Sequence, residues 1–268
     1  MKAIEPARAA RRGRGLGLLA GVAGLLLGAI CFAPARGLGL LLDEASGGHL
    51  RLLNTRGTLW RGQADLVLAG GRDSVAALAL PQGLRWRLTP AWSHGPALRL
   101  ELVAPCCAAQ GLELLLGVGI GTARLELASH SSQWPAAWLA GLGAPWNTIR
   151  LQGQLQLQTA GFGIEWAQGR ARLSGPFELQ AQDLSSSLST LKPLGSYRLR
   201  VEPDAGGSPR LRLDTLRGDL KLSGEAQSSG DRLRFQGLAE ATPDSERTLS
   251  NLLNILGRRD GARAHISL

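Results

Sequence analysis

Nucleophilic, redox or metal chemistry in this chain would have to be assembled from three cysteines and four histidines. Their spacing argues against each use in turn. Cys106 and Cys107 are adjacent, and a disulfide between neighbours needs a strained ring and an unusual backbone. Two small thiols in a turn after Pro105 are therefore the favoured reading over a redox pair. Cys31 sits in an apolar run, away from both. His49, His94, His130 and His265 are scattered, and no second Cys/His cluster completes a metal site. No Gly-x-Ser-x-Gly elbow is present and no two acids are spaced to share a proton. Gly117-Val118-Gly119-Ile120-Gly121 lacks both the Gly-x-Gly-x-x-Gly spacing and the helix that a phosphate cradle requires, so it reads as a turn or narrow strand. Arg217-Gly218-Asp219 spells an adhesion tripeptide but falls between two alternating strands. The residues predict a protein that is not an enzyme and holds no cofactor, metal or small-molecule substrate.

Charge leads to a similar exclusion. The chain carries 30 Lys and Arg against 21 Asp and Glu, a net +9. The N-terminal tail holds a disproportionate share of the excess, in Lys2, Arg8, Arg11, Arg12 and Arg14 against Glu5. Elsewhere the cations alternate with apolar residues, as in Arg85-Trp86-Arg87 and Arg210-Leu211-Arg212, and form neither a run nor a helical stripe. That is a wet strand face, not a nucleic-acid surface, although it would suit an acidic partner or anionic headgroups.

Alternation at period two dominates the chain. Leu98 to Val103, Ala123 to Leu127, Leu151 to Leu157, Tyr197 to Val201, Leu211 to Leu213, Leu220 to Leu222 and Leu233 to Phe235 each place apolar and polar residues on opposite faces. One buried and one wet face means antiparallel sheets. Two short helices should cover them. One has Thr242 as its cap, Pro243 in its first turn, and Leu249, Leu252, Leu253 and Leu256 on one side before Gly257. The other is expected from Gln133 to Leu142, with Trp134, Trp138 and Leu142 in line.

An uncharged run from Gly15 to Ala35 follows the basic tail. About 20 apolar residues cross the roughly 30 Å hydrocarbon layer, and the positive-inside bias of Arg8, Arg11, Arg12 and Arg14 orients the tail to the cytoplasm. A cleaved signal peptide is the rival reading, but its apolar core is shorter and Pro34 fits poorly in a small-x-small cleavage site. The fold class is thus mainly β: an N-terminal transmembrane helix, then a curved antiparallel sheet or two-layer β domain with two short covering helices. The segments are a cytoplasmic tail (1–14), the helix (15–35), a juxtamembrane connector (36–56) and a periplasmic β domain (57–268). A weak repeat, Trp60-Arg61-Gly62 against Trp166 to Gly169, is compatible with two similar lobes over 57–132 and 147–268.

An ordered series of motifs carries a resemblance. Gly57-Thr58-Leu59-Trp60-Arg61-Gly62-Gln63-Ala64 and Leu84-Arg85-Trp86-Arg87-Leu88-Thr89-Pro90 are followed by Gly169 to Gly175, by Leu191 to Leu199 with Pro193, Gly195 and Tyr197, and by Leu252 to Gly261 with Leu253, Gly257 and Gly261. In order and spacing the set resembles protein N of the bacterial type II secretion system. Arg61 departs from the small polar residue common at its position. The resemblance implies a single-pass inner-membrane protein of Gram-negative bacteria, working among the C, L and M components of the platform that exports folded proteins. It implies no catalytic residue. Trp60, Trp86 and Trp166 are expected as core anchors, with an edge contact for a partner strand as the other reading of Trp60 and Trp86. A bilayer-tethered sheet with an open apolar groove would instead suit a lipid-handling module, as in the AsmA-like proteins.

Overall fold

The computed structural model describes residues 21–25, 28–72, 74, 76–144, 146–229 and 232–267. Residues 15–20 and 26–27 of the expected membrane run and all four orienting arginines, Arg8, Arg11, Arg12 and Arg14, lie outside these residues. Among the described residues no helix is long and apolar enough to cross a membrane. Residues 21–25 and 28–31 are helical, and α1 (Ala35–Ala45) follows directly after Pro34.

Two antiparallel sheets account for most of the rest. The first is ordered β1 (Leu50–Gly57), β2 (Arg61–Ala69), β4 (Leu84–Trp92), β5 (Pro96–Ala104), β6 (Ala108–Gly119), β7 (Thr122–Leu127), β10 (Phe162–Ala167) and β11 (Arg170–Ser174), with the short β3 (Ala77–Ala79) on β2. The second is ordered β17 (Arg258–Asp260), β18 (Arg263–Ser267), β16 (Arg232–Ala241), β15 (Leu220–Ser229), β14 (Pro209–Gly218), β13 (Gly195–Pro203), β12 (Phe177–Ser186), β9 (Leu151–Thr159) and β8 (His130–Pro135). Every alternating segment named above lies within one of these strands.

Register turns alternation into layers, because residues directly opposite share a face. Leu98 faces Leu116 and Leu100 faces Leu114 across β5 and β6, while Leu116 continues to Leu125 and Leu114 to Leu127 on β7. The reverse face carries ion pairs such as Arg99–Glu113 at 3.3 Å and Arg124–Glu165 at 2.8 Å. The hairpin β10–β11 lies in the first sheet although its neighbours in sequence, β9 and β12, pair with each other in the second. Both copies of the weak Trp repeat consequently fall in one sheet, at its opposite edges.

The C-terminal helix, α3 (Glu246–Leu256), is preceded by a 3₁₀ turn over Pro243–Ser245. Leu249, Leu252 and Leu253 are fully buried against Ile149, Leu194, Leu220, Ala239, Ala241 and Ala264. Thr242 departs from its expected capping role: its hydroxyl donates to the Asp219 carboxylate at 3.1 Å. The other expected helix is also corrected. Gln133 to Pro135 are strand, paired with Gln154 to Gln156, and only Ala136–Leu142 coils, as a 3₁₀ helix before the short α2 (Trp146–Ile149). Trp134 and Trp138 still stack, with ring centroids 5.7 Å apart. The cysteine expectation is overturned. Cys106 and Cys107 form a disulfide in the β5–β6 turn, where Cys107 packs with Leu80, Ala104 and Ala108 beside both tryptophans. The turn also joins the two sheets, since Gln133 N–H donates to the Cys107 carbonyl at 3.1 Å.

Candidate functional site

The first two motifs fold into one latch. Gly57 ends β1 with φ +94°, in the left-handed region that favours glycine, and the chain turns through Thr58 to Trp60. Thr58 N–H donates to the Arg61 carbonyl at 2.8 Å. The half-buried tip of the turn is then fastened backward to the N-terminal segment. Leu59 N–H donates to the Ala33 carbonyl at 2.8 Å, Pro34 bridges Thr58, and the Trp60 indole N–H donates to the Ile30 carbonyl at 2.9 Å. It is fastened forward as well: the Trp86 indole donates to the Leu59 carbonyl at 3.0 Å and Leu88 N–H to the Trp60 carbonyl at 2.7 Å.

Trp86 is 5 % exposed and lies over Gly62, where an added Cβ would come within 2.8 Å of its ring. Gly62 is therefore small because the indole occupies the space a side chain would need. Ala64 and Ala35 complete the packing, with Leu38 from α1 and Leu52, Leu100 and Leu102 around them. Trp86 thus has the geometry of a core anchor. Trp60 is only half-buried and holds the N-terminal segment, and Trp166, at 44 % exposed, faces Ala171 across the β10–β11 hairpin. Pro90 sits exposed in β4 opposite Leu98.

The later motifs build two other structures. Gln168 and Gly169, both with positive φ, form the two-residue turn of the edge hairpin β10–β11. Following Pro193, Leu194 donates its N–H to the Leu184 carbonyl at 2.7 Å and accepts from the N–H groups of Asp219 and Leu220, each at 3.1 Å. Gly195 fits where a Cβ would meet the Arg217 carbonyl at 2.7 Å. Tyr197 is buried and donates its hydroxyl to the Leu220 carbonyl at 2.9 Å. Burial, then the charge of Asp219, push its pKa well above the ordinary phenol value. Leu253 lies in the core beneath these residues, Gly257 ends α3 in extended backbone against His265, and Gly261 turns β17 into β18 with φ +59°. None of these positions carries a reactive group, and among the described residues no group of three or more His, Cys, Asp or Glu could hold a metal ion.

One face left open to a partner is apolar. Leu98, Val118 and Trp166 are 37 %, 64 % and 44 % exposed on the first sheet. This face reaches the second sheet where the Phe162 and Phe177 rings meet at 5.6 Å, beside a seam in which Leu173 N–H donates to the Gly207 carbonyl at 2.7 Å. Under α3 the second sheet carries a half-open apolar pocket of about 300 Å³, lined by Leu155, Leu179, Leu199, Leu213, Leu222 and Leu256 among others. Sequence patterning marked these faces as apolar. It missed the Ile30 and Ala33 carbonyls as acceptors, because a backbone acceptor has no residue type.

The model of the type II secretion system protein N family matches residues 49–266. No curated protein and no solved structure was found to match. The matched region takes in both sheets, the latch turn and the C-terminal helix, and on that extent the chain belongs to the type II secretion system protein N family.

Proposed function

We propose that the chain is a non-catalytic, single-pass component of the Gram-negative inner membrane, anchored by the 15–35 run with its 1–14 tail in the cytoplasm. The β domain lies in the periplasm and helps assemble the machinery that exports folded proteins. Its partners are the bilayer and the C-, L- and M-type platform subunits. The observation that carries this reading is the latch joined to an uncovered face. A turn bonded to Ile30 and Ala33 fixes the first sheet relative to the apolar run, and that sheet keeps Leu98, Val118 and Trp166 exposed. Exposed apolar patches of this kind mark interaction surfaces, and a scaffold gains from presenting one at a fixed attitude.

Crosslinking the full-length chain in native membranes, with purification through a C-terminal tag and mass spectrometry of proteins and lipids, tests the assignment. Platform subunits enriched over a tagged anchor alone support it. A second reading, lipid handling in the manner of AsmA-like proteins, is favoured by the apolar pocket under α3. Abundant co-purifying lipid without platform subunits would replace the scaffold reading with that one.

A further inference from the structure

The polar face of the first sheet beside the latch carries a concentration of cations that the scaffold role does not use. Arg61 on β2 stands directly opposite Arg87 on β4, and Arg56 and Arg85 stand on either side of Gln63 in the same layer. All four arginines are exposed and line one shallow groove of about 510 Å³. Like charges directly opposite on neighbouring strands are destabilising, and little nearby offsets them. Arg87 reaches Glu101 only at 3.8 Å, and Asp65, further along β2, accepts from the Asn54 amide at 2.7 Å. Among the described residues Arg56, Arg61 and Arg85 have no ion-pair partner.

The place of this groove in the chain identifies its occupant. It is built on the strands that the latch turn joins, and that turn is hydrogen-bonded to Ile30 and Ala33, at the end of the apolar run. If that run spans the bilayer, as proposed above, the groove lies at the outer rim of the same membrane. We propose that Arg56, Arg61, Arg85 and Arg87 form a site for anionic phospholipid headgroups, which lays the first sheet against the membrane surface. Guanidinium groups bind phosphate in forked, charge-assisted pairs, and a headgroup phosphate between Arg61 and Arg87 converts their repulsion into two attractions.

The test uses the full-length chain in neutral-detergent micelles doped equally with phosphatidylglycerol and phosphatidylcholine, with retained lipids counted by native mass spectrometry. Because the basic tail also attracts anionic lipid, every protein compared carries Gln at positions 8, 11, 12 and 14. Preferential retention of phosphatidylglycerol is expected. At about a fivefold effect for each arginine near the surface, Arg61→Gln with Arg85→Gln should weaken that preference roughly thirty-fold. Arg170→Gln with Arg172→Gln removes equal charge from the far edge of the same sheet and should leave the preference unchanged. Equal retention of both lipids, or equal losses in the two double variants, would overturn the site. Carbonate extraction of native membranes separates this outcome from the anchor reading. A chain that resists extraction but shows no arginine-dependent preference loses the headgroup site alone, whereas an extractable chain that keeps the preference loses the anchor alone.

Discussion

The two sheets are built from the same alternating strands, yet one end of the second is closed while much of the first is open. In the second, α3 seals Leu249, Leu252 and Leu253 against Leu194 and Leu220. In the first, α1 covers only the β1–β4 side, around Trp86, and leaves Leu98 and Val118 in contact with solvent. Alternation specifies which face is apolar. What covers that face depends on helices elsewhere in the chain, and a sheet without enough of them presents a surface for something else.

The most severe way to break the contrast is to remove the indole sealed beside α1 in the more open sheet. Trp86→Ala should cost about 3–5 kcal/mol, because it leaves a cavity over Gly62 and strips the Leu59 carbonyl of its donor. Denaturant unfolding of the detergent-solubilised chain measures this, and partial proteolysis should show the 30–60 segment released from the sheet. Leu253→Ala at the sealed end should follow at about 3 kcal/mol, the usual loss for a fully buried leucine. Leu98→Ser with Val118→Ser on the open face should change stability by no more than about 0.5 kcal/mol at each position. A loss of the Leu253 size there would mean that a second copy or a bound lipid covers the face, and the contrast would fall.

A smaller effect sharpens the comparison at the seam between the sheets. Burial lowers the His130 pKa from 6.5, and its Nε2 is buried without a hydrogen-bond partner. The unfolded chain therefore takes up this proton first, so the contribution of His130 to stability is present above pH 6.5 and is lost as pH falls below it. His130→Gln should flatten the dependence of the unfolding midpoint across that window. His130 shares its groove with Glu178, Arg200 and Glu202.

Much of this architecture was legible in the residues. Leu249, Leu252, Leu253 and Leu256 announced a helix because their spacing places them on one side at 3.6 residues per turn, and Leu98 to Val103 announced a strand by the same logic at period two. Two readings failed at residues whose neighbours mattered more than their own pattern. Trp134 and Trp138 have helical spacing, but β9 offered Gln133 to Pro135 a ladder of backbone hydrogen bonds and drew them into strand. Cys106 and Cys107 favoured free thiols on local cost, and the β5–β6 turn brings their sulfurs together all the same. The family motifs were visible as letters, while their unity as a latch was not: Gly57, Trp60, Gly62 and Trp86 meet only after β2 pairs with β4.

By itself the sequence determined the class of the protein: antiparallel strands with one apolar face each, a basic tail before an apolar run, and an ordered series of motifs. These depend on residue type and short-range periodicity, which the chain carries before it folds. Only the tertiary structure decided that β10 and β11 cross into the first sheet, that Trp60 holds the segment leaving the apolar run, and that Arg61 stands opposite Arg87. Those depend on strand register and backbone acceptors, which acquire partners only when residues distant in the chain are brought together.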